Sequence, residues 1–204
     1  MEMIRDLTIF LTYAVLAVFA ENAVFTRGLG VSRLIRLVND DAVGTFQFWV
    51  LLALVELLTA PMGFFVLNRV IPGLPAELRL PLRPLLYLGC ALVAYLIVLG
   101  FLCLAPFKHK LKLLRTLPLA SFNTNVLGTL IICSTQGYTL MEHIGFGVGT
   151  SLGYLMAVLL VDEAERRLDN DTVPAIFRGM PITLVYIGIL ALAIYGFTGH
   201  TITL

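Results

Sequence analysis

FAENAVFTRGLGVSRLIRL (19–37) and LPLASFNTNVLGTLIIC (117–133) decide how this chain folds. Both sit in apolar surroundings, and both interrupt them with groups a simple membrane helix avoids. The first carries Glu21 and Asn22, then Gly28 and Gly30, before apolar residues resume. Leu7 to Leu37 is too long for one plain crossing at 1.5 Å per residue. A helix broken near 22–30 and continuing as a short second piece explains the glycines and the polar pair together. The second stretch has the same character, with Pro118, Asn123, Asn125 and Gly128.

Working outward, the rest of the chain is membrane-like. Of 204 residues, 59% are hydrophobic and 13% charged, and the mean hydropathy is +0.93. A soluble domain carries about a quarter charged residues. The net charge of +1 excludes a long-range field for nucleic acid or an acidic partner. Six apolar runs are long enough to cross a bilayer: 6–26, 43–67, 84–106, 114–135, 144–162 and 180–198. MEMIRDLTIFLTYAVLAVFA lacks the n-region and cleavage site of a secretory signal and reads as the first span. RVIPGLPAELRLPLRP (69–84) reads as a proline-punctuated surface loop and VDEAERRLDNDTVP (161–174) as a charged one.

The fold class expected is an all-α integral membrane protein of six transmembrane helices in one membrane domain. The helices form two inverted three-helix repeats, 1–106 and 107–204. Broken half-helices fall in spans one and four, at corresponding positions of the two halves. Such an arrangement points to a site near the bilayer midplane. Orientation follows from Lys and Arg placement. One side holds Arg5, Arg69, Arg79 and Arg83. The other holds Arg27, Arg33, Arg36, Lys108, Lys110, Lys112, Arg115, Arg166, Arg167 and Arg178. This places both termini on the non-cytoplasmic side of a bacterial inner membrane.

Five polar residues are candidates for an ion or substrate path: Glu21, Asn22, Glu56, Asn123 and Asn125. An ionisable group inside a span is costly unless paired or hydrated, which makes Glu21 a functional candidate. Its structural alternative is a vestibule-facing group or a helix cap. Asn123 and Asn125 serve equally well as amides that satisfy backbone freed by a helix break. Glu56, five residues before Pro61, reads as a counter-charge or proton relay, or as the partner of an Arg or a freed N–H. Gly145, Gly147, Gly149 and Gly153 open a membrane helix with no strand before them. They read as close helix packing rather than a dinucleotide loop. Glu142 and His143 read as a solvated loop pair. No catalytic nucleophile–base pair or phosphate loop is present, and no metal site is expected. Cys90, Cys103 and Cys133 read as small buried apolar residues.

Several stretches resemble the paired six-helix membrane subunits of the Rnf and Nqr electron-transport complexes. They are FAENAVF…LGVS (19–32), LPLASFNTNVLG (117–128), GFGVG (145–149), VPAIFRGMPI (173–182) and YGFTG (195–199). The resemblance covers nearly the whole chain. It implies half-helices meeting near the membrane centre. It also implies one cysteine in each broken segment, the two binding a [2Fe–2S] cluster between paired subunits. The carry-over fails at both ligand positions. Where the family reads N-C, this chain reads Asn125-Val126, and near Gly30 the stretch with the other cysteine is missing. Cys133 lies over two helical turns past Asn125. No [2Fe–2S] cofactor is therefore expected; a dimer with Cys133 and Cys103 as displaced ligands is the alternative.

The resulting expectation is at most a non-catalytic subunit of an ion-translocating oxidoreductase. It would serve ion or solute passage, or scaffolding, without its own cluster. The alternatives are a stand-alone homodimeric transporter of an ion or small polar solute, and a purely structural partner. Expected partners are the lipid bilayer, a second copy or a homologous six-helix subunit, and other Rnf/Nqr-type subunits, with no nucleic acid. Glu21→Gln is expected to impair ion handling and Cys133→Ser to change little.

Overall fold

A computed structural model describes residues 2–39, 44–104, 110–168, 174 and 176–198. The described segments form helices: α1 (Glu2–Val18), α2 (Ala23–Arg27), α3 (Val31–Asn39), α4 (Thr45–Phe65), α5 (Ala76–Leu104), α6 (Lys110–Ser121), α7 (Thr124–Gln136), α8 (Leu140–Leu168) and α9 (Met180–Thr198). Four stretches are long and apolar enough to cross a membrane: Thr45–Gly73, Ala76–Leu104, Lys110–Gln136 and Leu140–Arg167. Met180–Gly196 is apolar but shorter. The boundary expected at 106/107 lies outside the described residues.

The two deciding stretches are interrupted helices. After α1 the chain turns out of helical geometry at Asn22 (φ −61°, ψ 117°), and the Asn22 side chain accepts from the N–H groups of Val24 and Phe25. That cap satisfies donors that the first turn of any helix leaves open. α2 ends at Gly28 (φ 65°), and Gly30 (φ 75°) precedes α3. Glycine occupies this left-handed region without the steric penalty of a Cβ. In the second stretch, α6 stops at Ser121 and Asn123 is again extended (φ −73°, ψ 140°). Its side chain accepts from the Asn125 N–H to start α7. The same residue type, in the same conformation, restarts both helices.

Helices extend into both of the expected loops. α5 begins at Ala76, inside the segment read as a surface loop, and contains Pro81 and Pro84. Each proline deletes one backbone donor but has a helix-compatible φ, so the surrounding apolar sequence carries the helix through. α8 runs on to Leu168 because Asp162–Arg166 (2.9 Å) and Glu163–Arg167 (2.7 Å) pair at i, i+4 along its end. At its other end, Glu142 accepts from the Thr139 N–H (2.7 Å) and caps the first turn. His143, expected in a solvated loop, is buried in that turn, its Nδ1 3.1 Å from the Tyr138 carbonyl. His109 and His200 lie outside the described residues.

Packing centres on α8, which touches α1, α2, α3, α4, α7 and α9, while α4 packs on α5, α6 and α7. The α1–α8 contact explains the glycines. A Cβ at Gly145 would meet the Phe10 carbonyl oxygen at 2.5 Å, and one at Gly149 would collide with the Ala14 carbonyl oxygen. At Gly153 it would lie 2.8 Å from Asn22 Nδ2. The small-residue ridge lets the two backbones touch, the arrangement that holds helices together where lipid removes the hydrophobic drive. Gly147, off this ridge, faces α4 at Ala60 and the Glu56 carbonyl.

Candidate functional site

Glu56 lies near the middle of the span Thr45–Gly73 and is 1% exposed. Its Oε1 accepts from Asn125 Nδ2 at 2.6 Å, and its Oε2 lies 3.1 Å from Thr150 Oγ1. Thr129 Oγ1 is 3.1 Å from Thr150 Oγ1 and 2.9 Å from the Asn125 carbonyl. Four polar side chains from α4, α7 and α8 thus converge in the apolar interior. Asn125 sits there because Asn123 caps α7 and fixes its first turn, pointing the amide toward α4. Thr129 is one turn further along the same face, four residues on. Among the described residues, no cationic side chain pairs with Glu56. Asn125 Oδ1 is buried with no hydrogen-bond partner among them.

The other sequence candidates are placed elsewhere. Glu21 pairs with Arg27 (3.0 Å), both side chains partly exposed, at 30% and 42%. Exposed pairs of this kind contribute about 0–1 kcal/mol. Asn22 is fully buried; besides its cap, its Nδ2 donates to the carbonyls of Val18 (2.8 Å) and Gly153 (3.2 Å). That ties the first break to α8. Asn123 is buried at the second break. The two breaks meet directly. The Gly30 N–H donates to Thr124 Oγ1 (2.8 Å), and the Tyr154 hydroxyl donates to the Gly30 carbonyl (3.2 Å).

Thr129, Thr150 and Tyr154 were not singled out from the sequence. Thr129 carried a faint signal, being four residues past Asn125. Thr150 stands beside Ser151 in a small-residue helix, and only packing shows that it faces α4.

The donor set around the breaks does not fit an iron–sulfur cluster. Val126, at the position the resemblance assigns to a ligand, is fully buried and offers no thiolate. Cys133 packs with Ala17, Ile132 and Phe146. Cys90 lies in a separate apolar cluster with Ile71, Tyr87 and Leu130, and Cys103 is exposed. Among the described residues no three His, Cys, Asp or Glu side chains gather as a metal site. A cluster shared between paired subunits takes two ligands from each, and neither break of this chain carries a cysteine.

Comparison with known proteins bears on the whole chain. The family model described as Rnf-Nqr subunit, membrane protein, matches residues 10–201. Over 83 residues the chain is 41% identical to an ion-translocating oxidoreductase complex subunit of Syntrophotalea carbinolica, covering 41% of this chain and 43% of that protein. It is 39% identical to a Na(+)-translocating ferredoxin:NAD(+) oxidoreductase complex subunit of Acetobacterium woodii, with the same coverage. To a Na(+)-translocating NADH-quinone reductase subunit of Psychromonas ingrahamii it is 34% identical, over 41% of each. The chain thus spans about two fifths of the length of the curated relatives it matches. Apolar helices of membrane length, paired breaks and a family match over nearly the full sequence agree: this chain belongs to the Rnf-Nqr family of membrane subunits.

Proposed function

We propose that the chain is a membrane subunit of an ion-translocating oxidoreductase complex, and that the Glu56 cluster is its station for a proton or a hard cation. The observation that carries this is the buried carboxylate with no cationic partner among the described residues. A bare charge in that setting costs several kcal/mol, so the group holds a proton or a positive ion. Thr150 has one hydroxyl proton, and its Oγ1 lies 2.9 Å from the Gly147 carbonyl as well as 3.1 Å from Glu56. When that proton goes to Gly147, a protonated Glu56 supplies the proton of the second contact. When Glu56 is ionised, Thr150 turns to it, and Asn125 Oδ1 stands ready as an oxygen ligand for a cation. Asn125 Nδ2 holds Oε1 in both states.

The full architecture in this reading has six crossings in two inverted halves, α1–α2 and α9 completing the four longer spans. The matching Asn22 and Asn123 caps support it. Both termini face away from the cytoplasm of a bacterial inner membrane, the orientation favoured by the Lys and Arg placement. Partners are a homologous six-helix subunit and other members of such a complex. The chain holds no [2Fe–2S] cluster of its own, a reading supported by Val126 and by the separate environments of the three cysteines. That ligand loss also favours a second reading, a homodimeric carrier working alone. Chain purified by itself that dimerises and moves cations without other subunits selects it.

The test is electron-transfer-driven ion uptake into inverted membrane vesicles containing the assembled complex. Glu56→Gln and Glu56→Ala are expected to lower uptake at least tenfold while the other subunits still copurify. Full uptake with Glu56→Ala sinks the proposal.

A further inference from the structure

We propose, resting on the Glu56 station above, that the cavity where the two helix breaks meet is the vestibule through which Glu56 exchanges its proton or cation with one face of the membrane, and that Tyr154 gates it. Gly30, Ser32, Arg33, Arg36, Asn123 and Thr124 line a cavity of about 250 Å³. It has room for several water molecules. Ser32 and Arg36 are exposed and Asn123 is buried, so the cavity runs from the surface inward.

At the buried end, hydrogen bonds tie the two breaks to α8. The Gly30 N–H donates to Thr124 Oγ1 (2.8 Å). The Tyr154 hydroxyl donates to the Gly30 carbonyl (3.2 Å), and its oxygen answers the Asn123 amide. The Tyr154 ring fills the space a side chain at Gly30 would need, since a Cβ there would lie 2.5 Å from it. Tyr154 is 1% exposed and feels charges on both sides, Arg33 at the cavity and Glu56 within. Thr150, which contacts Glu56 Oε2, stands one turn back on the same face of α8. Asn125, which holds Oε1, follows Asn123 by two residues. Water in the cavity is thus kept from the carboxylate by one layer: Tyr154, Asn123 and the Gly30 peptide.

That layer is built to part. Hydrogen bonds close it, and its moving side carries Gly28 and Gly30 with φ of 65° and 75° on either side of Leu29. Glycine takes up left- or right-handed backbone at little cost, so this linker can swing without straining α2 or α3. A station between two membrane faces needs such a closure, because a path always open to both would dissipate the gradient.

Thiol labelling of the assembled complex in sealed vesicles tests the gate. Thr150→Cys reports access behind it, and Cys103→Ser removes the exposed native thiol. The probe is a membrane-impermeant, anionic methanethiosulfonate, whose charge Arg33 and Arg36 favour. Ser32→Cys, in the cavity wall, marks the face on which the vestibule opens. Thr150→Cys is expected to react slowly, and only from the face at which Ser32→Cys reacts. Tyr154→Phe keeps the ring but loses the hydroxyl shared with Gly30 and Asn123, and is expected to speed that reaction about tenfold. Thr124→Val removes the acceptor of the Gly30 N–H and serves as a second gate variant with the same expected effect. Cys133, buried against Ala17 and Phe146, is expected to stay unreactive in both. Reaction from the opposite face, an unchanged rate in both gate variants, or an equal gain at Cys133 overturns the gate. Labelling does not read ion uptake, so failure of the Glu56 uptake test and failure of the gate are separate results.

Discussion

At Asn22 one side chain does three things at once. It caps α2 through its oxygen, closes the last turn of α1 through Val18, and reaches α8 at Gly153. Asn22→Ala removes all three, and the cap by itself is worth about 1 kcal/mol. The variant is expected to lose about 1–3 kcal/mol in reversible detergent unfolding. Unchanged stability would show that the first break is held by packing alone. Asn125 differs because its amide meets a carboxylate. Asn125→Leu leaves Glu56 Oε1 without its donor and is expected to cut vesicle ion uptake about as strongly as Glu56→Gln. Glu21→Gln, in a partly exposed pair with Arg27, is expected to reduce uptake less than threefold. A larger loss there would move the ion path to the first break. In the proposed reading the carboxylate of the ion path is Glu56, whereas the sequence put more weight on Glu21.

Among the elements, the α1–α8 contact is the most demanding. Gly149→Ala places a methyl against the Ala14 backbone and 2.8 Å from the Ala17 Cβ. Overpacking of this kind costs about 1–3 kcal/mol. A methyl added at Gly188 on α9 would meet nothing within 4 Å, so Gly188→Ala is expected to be neutral or slightly stabilising. Equal unfolding midpoints for the two variants would remove the ridge as the reason for these glycines. Gly30→Ala combines a φ of 75° with a contact of 2.5 Å to the Tyr154 ring. It is expected to destabilise by about 2 kcal/mol or more. Spacing alone pointed to this ridge, since glycines four residues apart can share one helix face. The loops drawn at 69–84 and 161–174 came from prolines and charges, which mark helix ends only when neighbouring turns do not hold them.

For the molecule as a whole, two measurements separate the proposals. Reporter fusions at Leu204 are expected to read as non-cytoplasmic and fusions within 107–113 as cytoplasmic, following the Lys and Arg bias. Reversed signals would invert the orientation. Purified chain is expected to contain well under stoichiometric iron, and Cys133→Ser to leave that value unchanged. Stoichiometric iron lost on Cys133→Ser would restore a cluster built from displaced ligands.

Composition by itself settled that this is a membrane protein, because so apolar a chain cannot cover its own surface with charge. The positions of Asn22, Gly28, Gly30 and Asn123 settled where the helices break, because caps and left-handed turns are local events governed by neighbouring residues. What the sequence left open was the company each polar group keeps. Glu56, Asn125, Thr129 and Thr150 lie on three helices, and nothing local brings them together. The Gly30 N–H and the Thr124 hydroxyl likewise meet only once the two breaks are packed against each other. Burial and pairing are properties of packed helices, since the cost of a buried charge or orphaned amide depends on neighbours far away in the chain.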